Sequence, residues 1–390
     1  LLATGAVGDR IGRRRTYVAG LVVTALGALG CVLATDTTAF VAARAVQGVG
    51  GAAVLACGLA VLAHSPAPGH DRARATATWG AALGVGITAG VLLATAFGSE
   101  HWRASYVVTA VLALALAPLS HRGLGESSAA TPRRVDVPGV VLLSLGLAAL
   151  VAAVTEARTG LTPLMLILTV ATLVLAAAFV ATERRVAEPL IEPDLLRSPG
   201  FVAAAIGSTA VGLGIVAMAS NAAGLIQQGL GKTLGEASLP LLVWSATGVV
   251  TSLVIRRVHI PLPGPRLIAV ALAVVGVGEL FALGMHDGAS PWRLAPAFFV
   301  TGLATGVLNA VLGRESVASV PLDRAAMGSG ANNTARYLGA AIGITLFSVL
   351  MTHTGDGLPQ GWNNATLVAA LLTFVGAGAT WLVSRRVPTA

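Results

Sequence analysis

Glu279 is the one acidic residue set well inside an apolar stretch of this 390-residue sequence, flanked by Gly276, Val277, Gly278 and Leu280. A carboxyl placed in hydrocarbon sheds its charge by holding a proton, so Glu279 is a candidate proton carrier. The alternatives are an aqueous vestibule or an arginine partner, and the sequence identifies no partner. Arg44 and Arg336 also stand within apolar stretches. Arg44 opens the run Arg44-Ala45-Val46-Gln47-Gly48-Val49-Gly50-Gly51-Ala52. A cation there either marks a transport pathway or reaches the outer headgroups, about 10 Å away at 1.5 Å per residue. Gly48, Gly50 and Gly51 would give that helix a smooth face for close packing. Asp9, Arg10 and Arg13 stand in the basic run Gly5-Ala6-Val7-Gly8-Asp9-Arg10-Ile11-Gly12-Arg13-Arg14-Arg15. Its glycines permit a tight hairpin, and Asp9 can pair with an arginine or with a helix N-terminus. Gln47, Asn221, Gln227, Trp244, Asn309, Asn333 and Arg336 are the polar side chains that could line a cavity. Each taken singly is more often an interhelical hydrogen bond.

Other chemistries find no support. The seven histidines fall mostly in loops without metal-ligand spacing, and no nucleophile and base converge. Cys31 and Cys57 lie in apolar runs and read as buried thiols. No G-x-x-x-x-G-K-[ST] loop is present, so ATP is not a direct energy source in this chain, and no cofactor or metal is expected.

The elements that must position these residues follow from composition. Hydrophobic residues make up 55% and charged residues 11%, against roughly 25% charged in a soluble domain. Mean hydropathy is +0.81. A soluble enzyme, a disordered chain and a fibrous protein are excluded. At about 20 residues per span plus connections, the length holds roughly twelve or thirteen helices. After the tail of one span at Leu1–Val7, twelve apolar segments follow, and long unalternating runs of Ala, Val, Leu and Gly must be helical in lipid.

The net charge of +8 could suggest a nucleic-acid partner, but the basic residues sort by loop. With the first loop taken as cytoplasmic, 19 fall on that side and four on the other, with Arg44 and Arg336 inside spans. The charges are topology signals, the C-terminus is cytoplasmic on this count, and nucleic acid is excluded as a partner. The Arg-rich, Ala- and Gly-rich usage points to a bacterial cytoplasmic membrane. Two joints, His121–Val137 and Glu183–Gly200, divide the chain into residues 1–120, a pair of linking spans at 121–199, and residues 200–390. A faint echo of the first basic loop at Arg256-Arg257 to Arg266 suggests two related halves.

The first basic loop resembles the G-x-x-x-D-R-x-G-R-R signature of the major facilitator superfamily, and the run at Arg44 is similar to that family's fourth-span motif, whose Arg is implicated in proton transfer. The stretch Gly80 to Gly90 sits where antiporter members carry Gly-Pro-x-x-Gly-Gly. Gly86 and Gly90 match, Ile87 replaces the proline and Val91 the last glycine, which implies a straighter span. Asp136-Val137-Pro138-Gly139, Glu183-Arg184-Arg185 with Glu188-Pro189-Leu190-Ile191, and Gly328 to Gly339 resemble the fourteen-span drug/proton antiporter branch. The resemblance covers essentially the whole chain. On this alignment the family's first span and most of its second are absent. It implies an all-α bundle of about twelve complete transmembrane helices plus the end of another, in two pseudo-symmetric halves joined by two extra spans.

The resemblance further implies a non-enzymatic, monomeric secondary transporter that exports small amphiphilic or drug-like compounds by proton antiport. Its partners would be that small molecule, protons and the lipid bilayer. Alternatives are a metabolite exchanger or uptake carrier of the same fold, and a non-transporting sensor or inactive pump remnant.

Overall fold

The structure, a computed structural model, describes residues 1–64, 70–98, 100–128, 136–157, 160–186, 195, 197–255, 257–258, 262–321, 325–353 and 357–385. Glu188-Pro189-Leu190-Ile191 lies outside the described residues, as do Arg133, Arg134, Arg158, Arg256, Arg324 and Arg386 of the charge pattern. The described residues form helices and turns, with no strand among them. The helices are α1 (Leu2–Ile11), α2 (Arg13–Leu33), α3 (Thr37–His64), α4 (His70–Phe97), α5 (Trp102–Gly123), α6 (Val137–Glu156) and α7 (Pro163–Glu183). They continue as α8 (Pro199–Gly229), α9 (Leu234–Ile255), α10 (Gly264–Leu280), α11 (Ala295–Ala318), α12 (Ala325–Thr352) and α13 (Leu358–Ser384). Eleven are long and apolar enough to cross a membrane; α1, with 10 residues, and α10, with 17, are shorter.

Local sequence explains several boundaries. Asp136 caps α6 by accepting from Gly139 N at 3.0 Å, and Pro138 fills the first turn, where no donor is needed. Thr162 caps α7 through Met165 N at 3.1 Å, with Pro163 in the same role. Gly12 separates α1 from α2 at φ 117°, a conformation that glycine adopts without strain.

Each of the twelve apolar segments lies on a helix, with two ends displaced by tertiary contacts. The apolar segment Leu267–Met285 of the sequence leaves the helix at Leu280, because Gly284 and Gly288 turn the chain at φ 80° and 76°. The more polar stretch before the last apolar segment, Thr366–Ser384, is helical from Leu358, because it docks on that turn. Trp362 Nε1 donates to Ala282 O at 3.0 Å, and Asn363 bonds Met285 N and O at 3.0 and 2.9 Å.

Packing follows small residues. α2 packs on α3 and α5, α6 on α7, and α8, α10, α11 and α13 enclose the main buried core. The N-terminal helices meet the C-terminal ones where α1 and α3 touch α12 and where α4 touches α9 and α11. The backbone of α8 and that of α12 approach through glycines: Gly212 lies against Arg336 O and Ala340 N, and Gly343 against Leu213. α8 is irregular, with π-turns at Gly212–Val216 and Leu225–Gly229 that the residue pattern does not announce.

Candidate functional site

Asp9 does both things its position allows. Its Oδ1 accepts from Arg13 Nε at 2.8 Å, one turn along the chain. The same carboxylate receives the first-turn amides of α12, Ala326 N at 3.3 Å and Met327 N at 3.0 Å. A carboxylate on a helix N-terminus is stabilised by the orphan amides and the helix dipole, by about 0.3–1 kcal/mol and up to about 2 when partly buried. Burial pushes the Asp9 carboxyl above its ordinary range, opposed by Arg13 and the two amides. Gly5 makes the approach possible, since a Cβ there would strike Ala326 O. Gly330 comes against Leu1, and Ser329 Oγ donates to Leu55 O at 3.4 Å, so α1 and α3 are both fastened to α12.

The remaining arginines of the hairpin point elsewhere. Arg10 is exposed. Arg13 N donates to Ser127 O at 2.8 Å, Arg14 N to Glu126 Oε1 at 3.1 Å, and the Arg14 and Arg15 guanidinium groups each lie 3.6 Å from Glu126 Oε2. The segment after α5 thus clasps the hairpin, a contact that the isolated Glu126 gives no sign of in sequence.

In α4 the packing glycines are Gly80, against Asn309 of α11, and Gly84, against Val249 of α9. Gly86 and Gly90, the two that match the antiporter pattern, have nothing within 4 Å of a Cβ position. Nearer the other end of α4, the Thr95 and Ser238 hydroxyls are 2.5 Å apart.

Arg44 is exposed, donates to Gln47 Oε1 at 2.5 Å one turn on, and stands 6.0 Å from the centroid of Tyr106. Arg336 of α12 donates to Asn309 Oδ1 of α11 at 2.9 Å. These are the pairs the structure assembles from the cavity candidates. Of the others, Gln227 bonds Ala223 O and Asn333 bonds Ser329 O within their own helices, whereas Asn221 bonds Ala217 O and also Ile344 O of α12, and Trp244 Nε1 reaches Thr305 Oγ1 of α11 at 3.4 Å. Gln227 is exposed on the second π-turn.

Glu279 is apart from all of them. It is fully buried among α8, α10 and α13, with the Thr373 hydroxyl facing its carboxyl. No group of three or more metal-ligating side chains occurs among the described residues. An apolar cavity of about 730 Å³ lies between α1, α6, α7 and α12, lined by Leu143, Leu147, Val151 and Tyr337 among others. None of the polar candidates borders it, although Thr334, Tyr337 and Leu338, next to Arg336 on α12, do.

The chain is similar to several resistance and transport proteins. It is 26% identical over 389 residues to a methylenomycin A resistance protein of Streptomyces coelicolor, covering 98% of this chain and 79% of that one. It is 27% identical over 388 residues to the multidrug efflux pump LfrA of Mycolicibacterium smegmatis, covering 97% and 76%. The human organic anion transporter MFSD10 (TETRAN) superposes with a TM-score of 0.67 over 97% of this chain and 79% of that one, at 17% identity, a likeness of fold. The family model described as Major Facilitator Superfamily matches residues 1–343. With that match and the helical bundle just described, the chain belongs to the Major Facilitator Superfamily.

Proposed function

We propose that this protein is a secondary active transporter that exports small amphiphilic or drug-like compounds in exchange for protons. The observation that carries the reading is the Asp9 carboxylate on the N-terminus of α12. It is a polar, breakable contact between the N-terminal and C-terminal helices, suited to closing one face while the bundle rocks about a site near the midplane. The resistance and efflux names of the two relatives support the substrate class. Residues 1–120 and 200–390 are the rocking units and 121–199 the link. Asp9, Arg10 and Arg13 gate the cytoplasmic side, Arg44 and Glu279 handle protons, and Gln47, Asn221, Gln227, Trp244, Asn309, Asn333 and Arg336 contribute to the substrate path. The protein works as a monomer in a bacterial cytoplasmic membrane with its C-terminus in the cytoplasm, the orientation that places most arginines inside.

The test is efflux of a fluorescent cationic amphiphile from vesicles holding the full-length protein, with an imposed proton gradient. Export should be abolished by a protonophore. Transport that ignores the gradient would overturn antiport and favour the exchanger, to which Ile87 in place of the antiporter proline already leans.

A further inference from the structure

Glu279 and Thr373 are both fully buried, the Thr373 hydroxyl faces the carboxyl, and both converge on Gly214. A Cβ on Gly214 would collide with Thr373 and stand 2.5 Å from Glu279 Oε1. Gly214 is the middle residue of the π-turn Gly212–Val216. Such turns carry an extra residue and are where a helix bends or shifts its ladder.

Among the described residues, α8, α11 and α13 are the helices packed most on α10, and none of them brings a charged side chain to Glu279. α8 and α13 contain no ionisable side chain at all. α11 contains Arg314 and Glu315 near its end, thirteen residues past the buried Thr301, about 20 Å at 1.5 Å per residue. On α10 itself the other charged residue is Arg266, in its first turn; in the turn that follows, the exposed Arg293 is taken up by Leu283 O and Gly284 O, and His286 and Asp287 lie beyond it. The remaining neighbours are Thr301, Val300 and Phe374, which pack against Gly278 and Gly276.

The opposite face of the same π-turn touches α12. Gly212 lies on Arg336 O and Ala340 N, and Leu213 on Gly343. Arg336 in turn holds Asn309. The turn is therefore clamped between a lone carboxyl and a helix that bears a polar contact to α11.

We propose that Glu279, Thr373 and the π-turn of α8 form a proton-operated joint. With the proton on, the neutral carboxyl rests against Gly214 and keeps the turn as it stands. When the O–H bond breaks and the proton passes to water, the carboxylate is left without a cation. It must then draw water in or leave its pocket, and either movement releases the turn and alters the seat of α8 on α12. The joint rests on the transport reading for its purpose, since it says where the proton acts, but not for its test.

That test is hydrogen exchange of the purified full-length protein in detergent, corrected for intrinsic rates, between about pH 5 and 9. Amides of 208–220 should lose about tenfold in protection as the pH rises, one decade of their opening equilibrium. Glu279→Gln should remove that response, and Thr373→Val should shift its midpoint, while α2 stays unchanged in every case. The same response in Glu279→Gln as in the parent, or a flat parent profile, would overturn the joint. If Glu279→Gln does not fold, an unmoved midpoint in Thr373→Val overturns it instead. Loss of gradient-driven export with the exchange response intact would count against the transport reading alone, and a flat profile in a protein that exports would count against the joint alone.

Discussion

Asp9 takes hydrogen bonds from three donors, the Arg13 guanidinium and two amides of α12, and Arg13 is wholly buried. Removing the carboxylate therefore takes an acceptor from a buried cation as well as from two amides. Asp9→Ala should lower stability by about 3–5 kcal/mol, the range for a buried pair broken on one side. Asp9→Asn, which keeps an acceptor oxygen, should cost less. Thermal unfolding of the full-length variants in detergent reads the difference, and equal melting of parent and Asp9→Ala would show that the contact carries no weight. The residue itself was legible, because an acid in a run of arginines and glycines has few uses. Its partner was not: Met327 is 318 positions away, and nothing about Ala326 and Met327 marks their amides as a binding site. Glu279 was legible as an anomaly for the same reason, whereas the glycine and threonine that face it are ordinary residues of ordinary spans.

Helix contacts depend on which face a glycine presents, and here periodicity alone is blind. Gly80, Gly84, Gly86 and Gly90 all lie on α4, yet only the first two meet a neighbour. Gly84→Ala would place a Cβ 2.7 Å from Val249 Cγ2, and Gly306→Ala one 2.5 Å from Gly248 O. Both should destabilise, by about 1–3 kcal/mol as overpacking does, with Gly306→Ala the worse because backbone cannot yield. Gly86→Ala and Gly90→Ala should be neutral or stabilise by about 0.5–1 kcal/mol through helix propensity. The four midpoints in a denaturant or thermal series decide it; a loss at Gly86 equal to that at Gly84 would mean that α4 has another partner there. The helical segments were readable from apolar length, since lipid permits little besides a helix, although among the described residues eleven helices rather than twelve are long enough to span. The two π-turns of α8 were not, because Gly212–Val216 has the same apolar character as the regular turns around it.

For the molecule as a whole, the N-terminal and C-terminal helices are joined at both ends of the bundle. Asp9 and Ser329 secure one end, and Thr95 with Ser238 meet toward the other. If export requires the bundle to rock, a covalent clamp across α4 and α9 should stop it. Thr95→Cys with Ser238→Cys, in a background lacking Cys31 and Cys57, should lose transport on oxidation and recover it on reduction. The hydroxyl separation of 2.5 Å puts the two Cβ atoms within disulfide reach. Undiminished export by the oxidised protein would mean that α4 and α9 stay together throughout the cycle and that motion occurs elsewhere.

α7 has no buried residue and is held chiefly by α6. Its 21 residues rise about 31 Å, close to the roughly 30 Å depth of hydrocarbon. A rod whose outer face is matched to acyl chains over its full length would respond to bilayer thickness. Lengthening or shortening the lipid tails should tilt this hairpin before it disturbs the core. Because α6 leans on α12, such a tilt would carry the lipid's composition to the helix that Asp9 latches.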